Sequence, residues 1–187
     1  MTTRLRPALA LCIVLLISHG AHAAQIVIGP GSVAAIAPPA ESEEAVRYLM
    51  ALPLPAALNG AAIDFARLLV GISSEVNEEA PAGTPFIIDV YALETQWSAG
   101  SVSWSGGWDS PGGDYLDDTH SSYMAAADTA ATVSLDLTHV VQAWVDGELD
   151  NCGVILKVPT GTCCGITAIE ESDPAPALVV YYTPAED

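Results

Sequence analysis

This sequence of 187 residues predicts an all-β fold, an antiparallel β-sandwich with one short helix. Three observations predict it. Short runs of alternating apolar and polar residues are separated by Gly, Pro, Asn and Asp clusters every ~8–12 residues, the rhythm of a sandwich. A stretch at 138–147 sets apolar side chains at helical spacing. Hydrophobic residues make up 51% and charged ones 15%, so one domain can bury a core and a disordered chain is excluded.

The elements follow in order. Gly29-Pro30-Gly31 and Pro38-Pro39 bracket a strand at 32–37, and 41–44 is an acidic, solvated turn. Tyr48, Met50 and Leu52 alternate with Leu49 and Ala51 in a strand that stops at Pro53. Residues 61–70 fit helix or strand by periodicity, with Ile63, Phe65 and Arg67 on one parity and Asp64, Ala66 and Leu68 on the other. The flanking Asn59-Gly60 and Gly71 select a strand. An acidic loop at 75–84 leads to a β-rich run at 86–93.

Residues 98–118, dense in Gly, Ser, Asp and Trp, predict a long surface loop flanking a short strand at 102–104, and His120 falls in a Ser-rich loop. Val133, Leu135 and Leu137 alternate with Ser134 and Asp136 in a half-buried strand. Thr138 is placed as an N-cap, with Val140, Val141 and Trp144 on one face of a helix ending at Gly147. Strands at 153–158 and 177–182 complete the chain.

At the N-terminus, Arg4 and Arg6 precede an apolar run at 7–17 and the small-x-small signature Ala21-His22-Ala23. That is the pattern of a secretory signal peptide at 1–23, too short to span a bilayer. Cys12 lies inside the apolar run behind the bulky Leu11, which does not suit lipoprotein cleavage. A secreted or extracellular protein without a membrane span is expected, with periplasm or cell surface as the alternatives.

The chain carries 23 acidic against 5 basic side chains, a formal charge of −18, with a mean hydropathy of +0.38. Beyond residue 23 the cations are Arg47, Arg67 and Lys157. Affinity for a phosphate backbone comes from Lys and Arg, so nucleic acid is excluded as a partner. Anionic surfaces are disfavoured by the same repulsion. Cys152, Cys163 and Cys164 remain after cleavage. In an oxidising compartment that odd number predicts one structural disulfide, Cys152 with Cys163 or with Cys164, and either one leftover thiol or an intermolecular bridge.

Four segments resemble a known family. Val90-Tyr91, Trp97 and Val102-Ser103-Trp104 look like the "vY…W…vtW" segment of the DNRLRE domain family. Leu135-Asp136-Leu137-Thr138 with Val140-Val141-Gln142-Ala143-Trp144 and Gly147 resembles its "fDvT…vqaW…G" segment. Asn151 and Gly153 to Leu156 are similar to "NyGlll", and Glu170 or Glu171 with Pro176, Leu178, Val180 and Tyr182 to "SrE…P.LvvtY". The resemblance implies a jelly-roll-like sandwich over 45–183, preceded by an N-terminal strand and linker at 24–44 and followed by an acidic tail at 184–187. It also implies an accessory module of secreted or surface proteins, with carbohydrate-binding relatives that include alginate binders. The family's Arg before the acidic residue is absent here, and a chain this acidic is a poor match for a polyanion such as alginate.

The candidate site residues lie in the Gly-rich stretch. Trp108 and Tyr115 are the candidate ligand-binding aromatics, since a flat apolar ring complements the C–H face of a pyranose; pinning down their own loop is the alternative role. Trp97, Trp104 and Trp144 are placed in the core. Asp109, Asp114, Asp117 and Asp118 are the candidate ligands of a structural calcium ion, which takes several oxygens at once. An acidic, solvated surface is the alternative, and Asp146, Glu148 and Asp150 form a second candidate set. His120 and His139 are the imidazole bases left after cleavage, and no nucleophile-elbow motif accompanies them, so no catalytic residue is expected. The expected role is a non-catalytic module binding a neutral polysaccharide or matrix component. The alternative is a structural subunit that self-associates, with edge strands pairing between copies.

Overall fold

The computed structural model describes residues 23–42, 44–72, 83, 85–126, 131–157 and 175–185. The expected signal peptide, most of the acidic loop at 75–84, and Cys163 and Cys164 lie outside the described residues. Strands β1 (Ala24–Ile28), β2 (Ser32–Ile36), β3 (Arg47–Ala51), β4 (Ala62–Ile72), β5 (Pro85–Leu93), β6 (Tyr115–Ala126) and β7 (Ala131–Asp136) come first. Helix α1 (Thr138–Asp146), β8 (Val154–Lys157) and β9 (Ala177–Thr183) follow.

They form two antiparallel sheets, β1-β9-β4-β7 and β2-β3-β8-β5-β6. The all-β sandwich with one helix is therefore observed. Residues 24–36 supply an outer strand to each sheet, β1 against β9 and β2 against β3, so this segment is woven into the sandwich. Among the described residues no helix is long and apolar enough to cross a membrane.

Between the sheets lies one apolar core. The five-stranded sheet contributes Met50, Ile88, Val90, Val154 and Leu156; the other contributes Ile26, Leu68, Val70, Leu135, Leu178 and Val180. Each alternates with residues that point to the opposite face of its sheet. In β4 the alternation breaks. Ile63 is buried, yet so are Ala66, Leu68 and Val70. A register shift between Ile63 and Phe65 inserts one residue against β9 and flips the face, so Ile63 does not share a side with Phe65 and Arg67 as the plain alternation predicts.

Helix α1 lies along the part of β4 that β7 leaves unpaired. β7 pairs with Arg67 to Ile72, and below that point side chains take over the ladder. The Ala66 N–H donates to the Thr138 hydroxyl at 3.0 Å, and the Ile63 N–H donates to Gln142 Oε1 at 2.7 Å. Thr138 is thus the first helical residue, not the N-cap, and its hydroxyl serves β4. Asp136 Oδ1 accepts the Thr138 N–H instead, at 2.9 Å. Val140, Val141 and Trp144 bury the inner face as expected, and Gly147 ends the helix with φ +71°.

Residues 102–104 are not a strand. They belong to a loop whose backbone groups find local partners, Val102 N–H on the Ser98 carbonyl and Ser103 N–H on that of Gly106. The predicted loop also ends early. β6 begins at Tyr115, which puts Asp117, Asp118 and His120 in a strand. Composition hides this strand because it lies at the end of its sheet and His120-Ser121-Ser122-Tyr123 has no clean alternation.

Candidate functional site

Over β3, β8 and the end of β5, the outer face of the five-stranded sheet is covered. Its side chains form two rows across the strands: Asp89, Lys157, Arg47 and Ile36, then Tyr91, Ile155, Leu49 and Ala34. The loop after β5 folds back over these rows. Leu49, Ile155, Leu93, Ile36 and Cys152 are buried beneath it, with Trp97, Trp104, Trp108, Tyr91 and Tyr115 packed against them. This is a second, smaller apolar cluster. Trp144 lies in the main core as expected, whereas Trp97 and Trp104 belong to this outer cluster.

Each aromatic also makes a polar contact that sets the loop's position. Trp97 Nε1 donates to the Cys152 carbonyl at 3.0 Å, and Trp108 Nε1 donates to the Ser103 carbonyl at 2.8 Å. Arg47, only 7% exposed, lies 4.7 Å from the Trp104 ring centre and donates from Nη1 to the Gly112 carbonyl at 2.8 Å. Its Nη2 reaches the exposed Glu44 carboxylate at 3.0 Å. Gly112 has φ +91°, and a Cβ there would press on the Arg47 guanidinium at 2.6 Å. Only glycine fits beneath the arginine.

Tyr115 leans on Tyr91 with ring centres 4.8 Å apart, and its hydroxyl accepts from Lys157 Nζ at 2.8 Å. The Lys157 ammonium lies 4.5 Å from the Tyr115 ring centre and 5.0 Å from that of Tyr91. Two of the three cations beyond residue 23 are therefore held against aromatic rings under this loop.

Asp114 closes the loop from the other side. Its Oδ2 accepts the Asp109 N–H at 2.8 Å and the Thr95 hydroxyl at 3.2 Å, and its Oδ1 accepts the Ser110 N–H at 2.9 Å. Partial burial pushes the carboxyl upward, but these donors outweigh it and hold Asp114 below its ordinary value of 3.8. The charged form thus stabilises the folded loop above pH 3.8, and that contribution is lost as the pH falls through the lowered folded value. Asp114→Ala is expected to cost about 1–2 kcal/mol, solvent screening keeping each bond at the low end. Urea unfolding at neutral and acidic pH checks this, because Asp114→Asn should flatten the acid limb relative to the wild type.

Beside this clamp opens a cleft of ≈ 510 Å³, walled by Tyr115, Thr95 and Pro111 and rimmed by Glu94, Asp109 and Asp117. Here the expected site residues separate. Trp108 sits inside the outer cluster as a pin for its loop, and Tyr115 forms a wall of the cleft. Asp109, Asp114 and Asp117 line the same cleft, but the Asp114 oxygens face backbone N–H groups. Asp118 follows Asp117 on β6 and lines a different cavity, with His120, Asp136 and His139. Among the described residues no three acidic, His or Cys side chains come together as a metal-holding group. Asp109, Asp114 and Asp117 thus share one cleft, and Asp118 lines another.

Those neighbours show how β6 bends. Between Val90 and Ala92 the ladder skips four residues of β6, from Ser121 to Leu116. The Thr119 hydroxyl fills the gap, accepting the Ala92 N–H at 2.8 Å and donating to the Leu116 carbonyl at 2.6 Å. His120 stacks on Tyr91 at 4.9 Å, and its Nε2 meets both Asp89 at 2.7 Å and Ser122 at 3.2 Å. A Ser-His-Asp relay needs Ser and Asp on different ring nitrogens, and here one nitrogen faces both.

Cys152 is buried, with Sγ 3.4 Å from the Glu94 carbonyl. Burial first, then the Asp150 charge, push its thiol upward, with Gln96 in partial opposition. Its expected partner Cys163 lies outside the described residues. Sequence reasoning missed Arg47, Lys157 and Thr119. In the sequence Arg47 and Lys157 stand out only in the charge balance, although so few cations in so acidic a chain signal fixed partners.

Set against known proteins, no family model matches the chain and no curated protein matches it significantly. Fold and site together define an antiparallel β-sandwich with an aromatic loop clamped over one outer face, beside an acid-rimmed cleft.

Proposed function

We propose that this chain is a secreted, non-catalytic binding module that takes a neutral glycan or matrix component in the cleft beside the clamped loop. The observation that carries the reading is the cleft itself, with an aromatic wall at Tyr115 and the exposed carboxylates of Glu94, Asp109 and Asp117 at its rim. Carboxylates accept paired hydroxyl hydrogen bonds, and an aromatic wall covers the apolar side of a sugar ring, the mix of contacts such clefts use. A rigid clamp keeps these groups in place before the ligand arrives, which lowers the ordering cost of binding. The resemblance to the DNRLRE domain family supports the same reading. The acidic rim favours a ligand rich in hydroxyl donors over a polyanion.

Affinity electrophoresis on a panel of neutral polysaccharides, with and without calcium, tests this. Retardation by at least one glycan is expected. It should weaken in Asp117→Ala and in Glu94→Ala, whose side chains are exposed and whose removal leaves the melting temperature unchanged. Wild-type migration unaffected by every glycan, in either calcium condition, defeats the proposal. Retardation that both variants retain moves binding away from this cleft.

A further inference from the structure

Four large apolar side chains are exposed among the described residues, and three of them sit together at one end of the five-stranded sheet: Ile87 at 44%, Tyr123 at 37% and Met124 at 70%. Ile87 and Met124 face each other across the β5–β6 ladder on the outer surface, and Tyr123 pairs with Ile88 on the other face. Among the described residues β6 is the last strand of its sheet, so its far side presents backbone N–H and C=O groups along a template for another strand.

The charge pattern says what can approach that edge. In a chain with 23 acidic residues, the six residues from Ser121 to Ala126 carry no charge and contain no proline. They pair regularly with β5, from Ser121 opposite Val90 to Ala126 opposite Pro85. The bulge at residues 117–120 keeps Asp117 and Asp118 apart from this straight section. Asp89, two positions along β5 from Ile87 on the same outer surface, is held by His120 at 2.7 Å. Two copies that repel over most of their surface meet no like charge along residues 121–126 themselves. The other outer strands, β1, β2 and β7, have five, five and six residues, and no large exposed apolar side chain lies on them. Shortness and a lack of apolar exposure protect such edges.

We infer that two copies of this chain associate by antiparallel pairing of β6 with β6, merging their five-stranded sheets into one. Paired residues in an antiparallel ladder share a face, so a two-fold axis through this strand sets Met124 opposite Met124 or Ser122 of the second copy. Either register brings the Ile87–Met124 patches of the two copies side by side and covers them. The cleft beside the clamped loop remains outside this contact, so association and ligand binding are separate properties of the chain.

Sedimentation velocity of the full chain over a wide concentration range, at low and high ionic strength, is the test. A monomer–dimer equilibrium is expected, strengthened by salt as the repulsion between acidic copies is screened. Met124→Glu places carboxylates next to each other across the two-fold axis and should weaken the dimer by at least about tenfold, with unchanged circular dichroism and melting, because Met124 is mostly exposed. Met124→Leu should preserve it. A wild type that stays monomeric at every concentration and salt level overturns the inference. So does a dimer that Met124→Glu leaves intact.

Discussion

Arg47→Ala is expected to lower the unfolding free energy by about 2–4 kcal/mol and to release the loop that covers the outer face of the five-stranded sheet. Three losses add. The Gly112 carbonyl, buried beneath the guanidinium, loses its donor at 2.8 Å, and an unsatisfied buried acceptor costs about 1–3 kcal/mol. The stacking on Trp104 at 4.7 Å disappears, a further ~1 kcal/mol or more in a desolvated setting. The aliphatic stem leaves a gap beside the aromatic cluster. The ion pair to Glu44 contributes little, because that carboxylate is exposed. Arg47→Lys should recover only part of the loss, since an ammonium cannot stack flat and donate in two directions. Guanidinium denaturation measures the stability. Tryptophan fluorescence should shift to the red in Arg47→Ala even where the protein stays folded, because Trp97, Trp104 and Trp108 share the loop. An unshifted spectrum with wild-type stability would show that the clamp is held by its apolar contacts alone.

Gly153→Ala is expected to have at least as large an effect, about 2–5 kcal/mol, a large fraction of the stability of a single domain. Gly153 has φ +87°, a backbone conformation that costs a side-chain-bearing residue about 1–2 kcal/mol. A Cβ there would also run into the Met50 carbonyl oxygen and lie 3.1 Å from Ala51 Cα. Backbone of a packed strand cannot step aside as a flexible side chain can, and overpacking of this kind costs about 1–3 kcal/mol more. The site sits where the chain enters β8: Asn151 Nδ2 donates to the Leu52 carbonyl at 2.8 Å, and its Oδ1 accepts the Gly153 N–H at 3.1 Å. Displacing that entry shifts the strand that lies between β3 and β5. Gly29→Ala is the control, because its Cβ would meet nothing within 4 Å, and it should stay within about 0.5 kcal/mol of wild type. Comparable midpoints for the two variants in urea would refute the steric argument.

Both effects arise from contacts between residues far apart in the chain. Arg47 and Gly112 are 65 residues apart, and Trp97 and the Cys152 carbonyl 55. Residues 98–118 read as a surface loop because Gly, Ser and Asp dominate them, and they are a loop as far as Asp114, where β6 takes over. What composition does not reveal is that the loop's tryptophans point down onto a sheet face that is itself apolar. The alternation in β3 and β5 carries the clue. Leu49, Tyr91 and Leu93 sit at positions that would be polar if the outer face were solvated, and Ile155 does the same in β8. A strand apolar on both faces is covered on both faces. Nearness in sequence groups the four aspartates, but the bulge in β6 parts them: Asp117 lines one cavity and Asp118 another.

By itself the sequence determined the all-β class, most of the strands, the one helix with its buried face and its end at Gly147, and the acidity that shapes any partner. These follow from local periodicity, turn residues and total charge, which need no knowledge of the remaining chain. Tertiary structure alone decided where the loop lies, which carboxylates meet, the flipped parity in β4, and the strand at β6. Each of these depends on which surface another segment brings close. Asp114 became a loop clamp because the Asp109 and Ser110 N–H groups turn toward it, and Thr119 became a substitute rung because the β6 bulge opens beside Ala92. A hydrogen bond is short and directional, so its partner is set by the folded path and not by the order of residues along the chain.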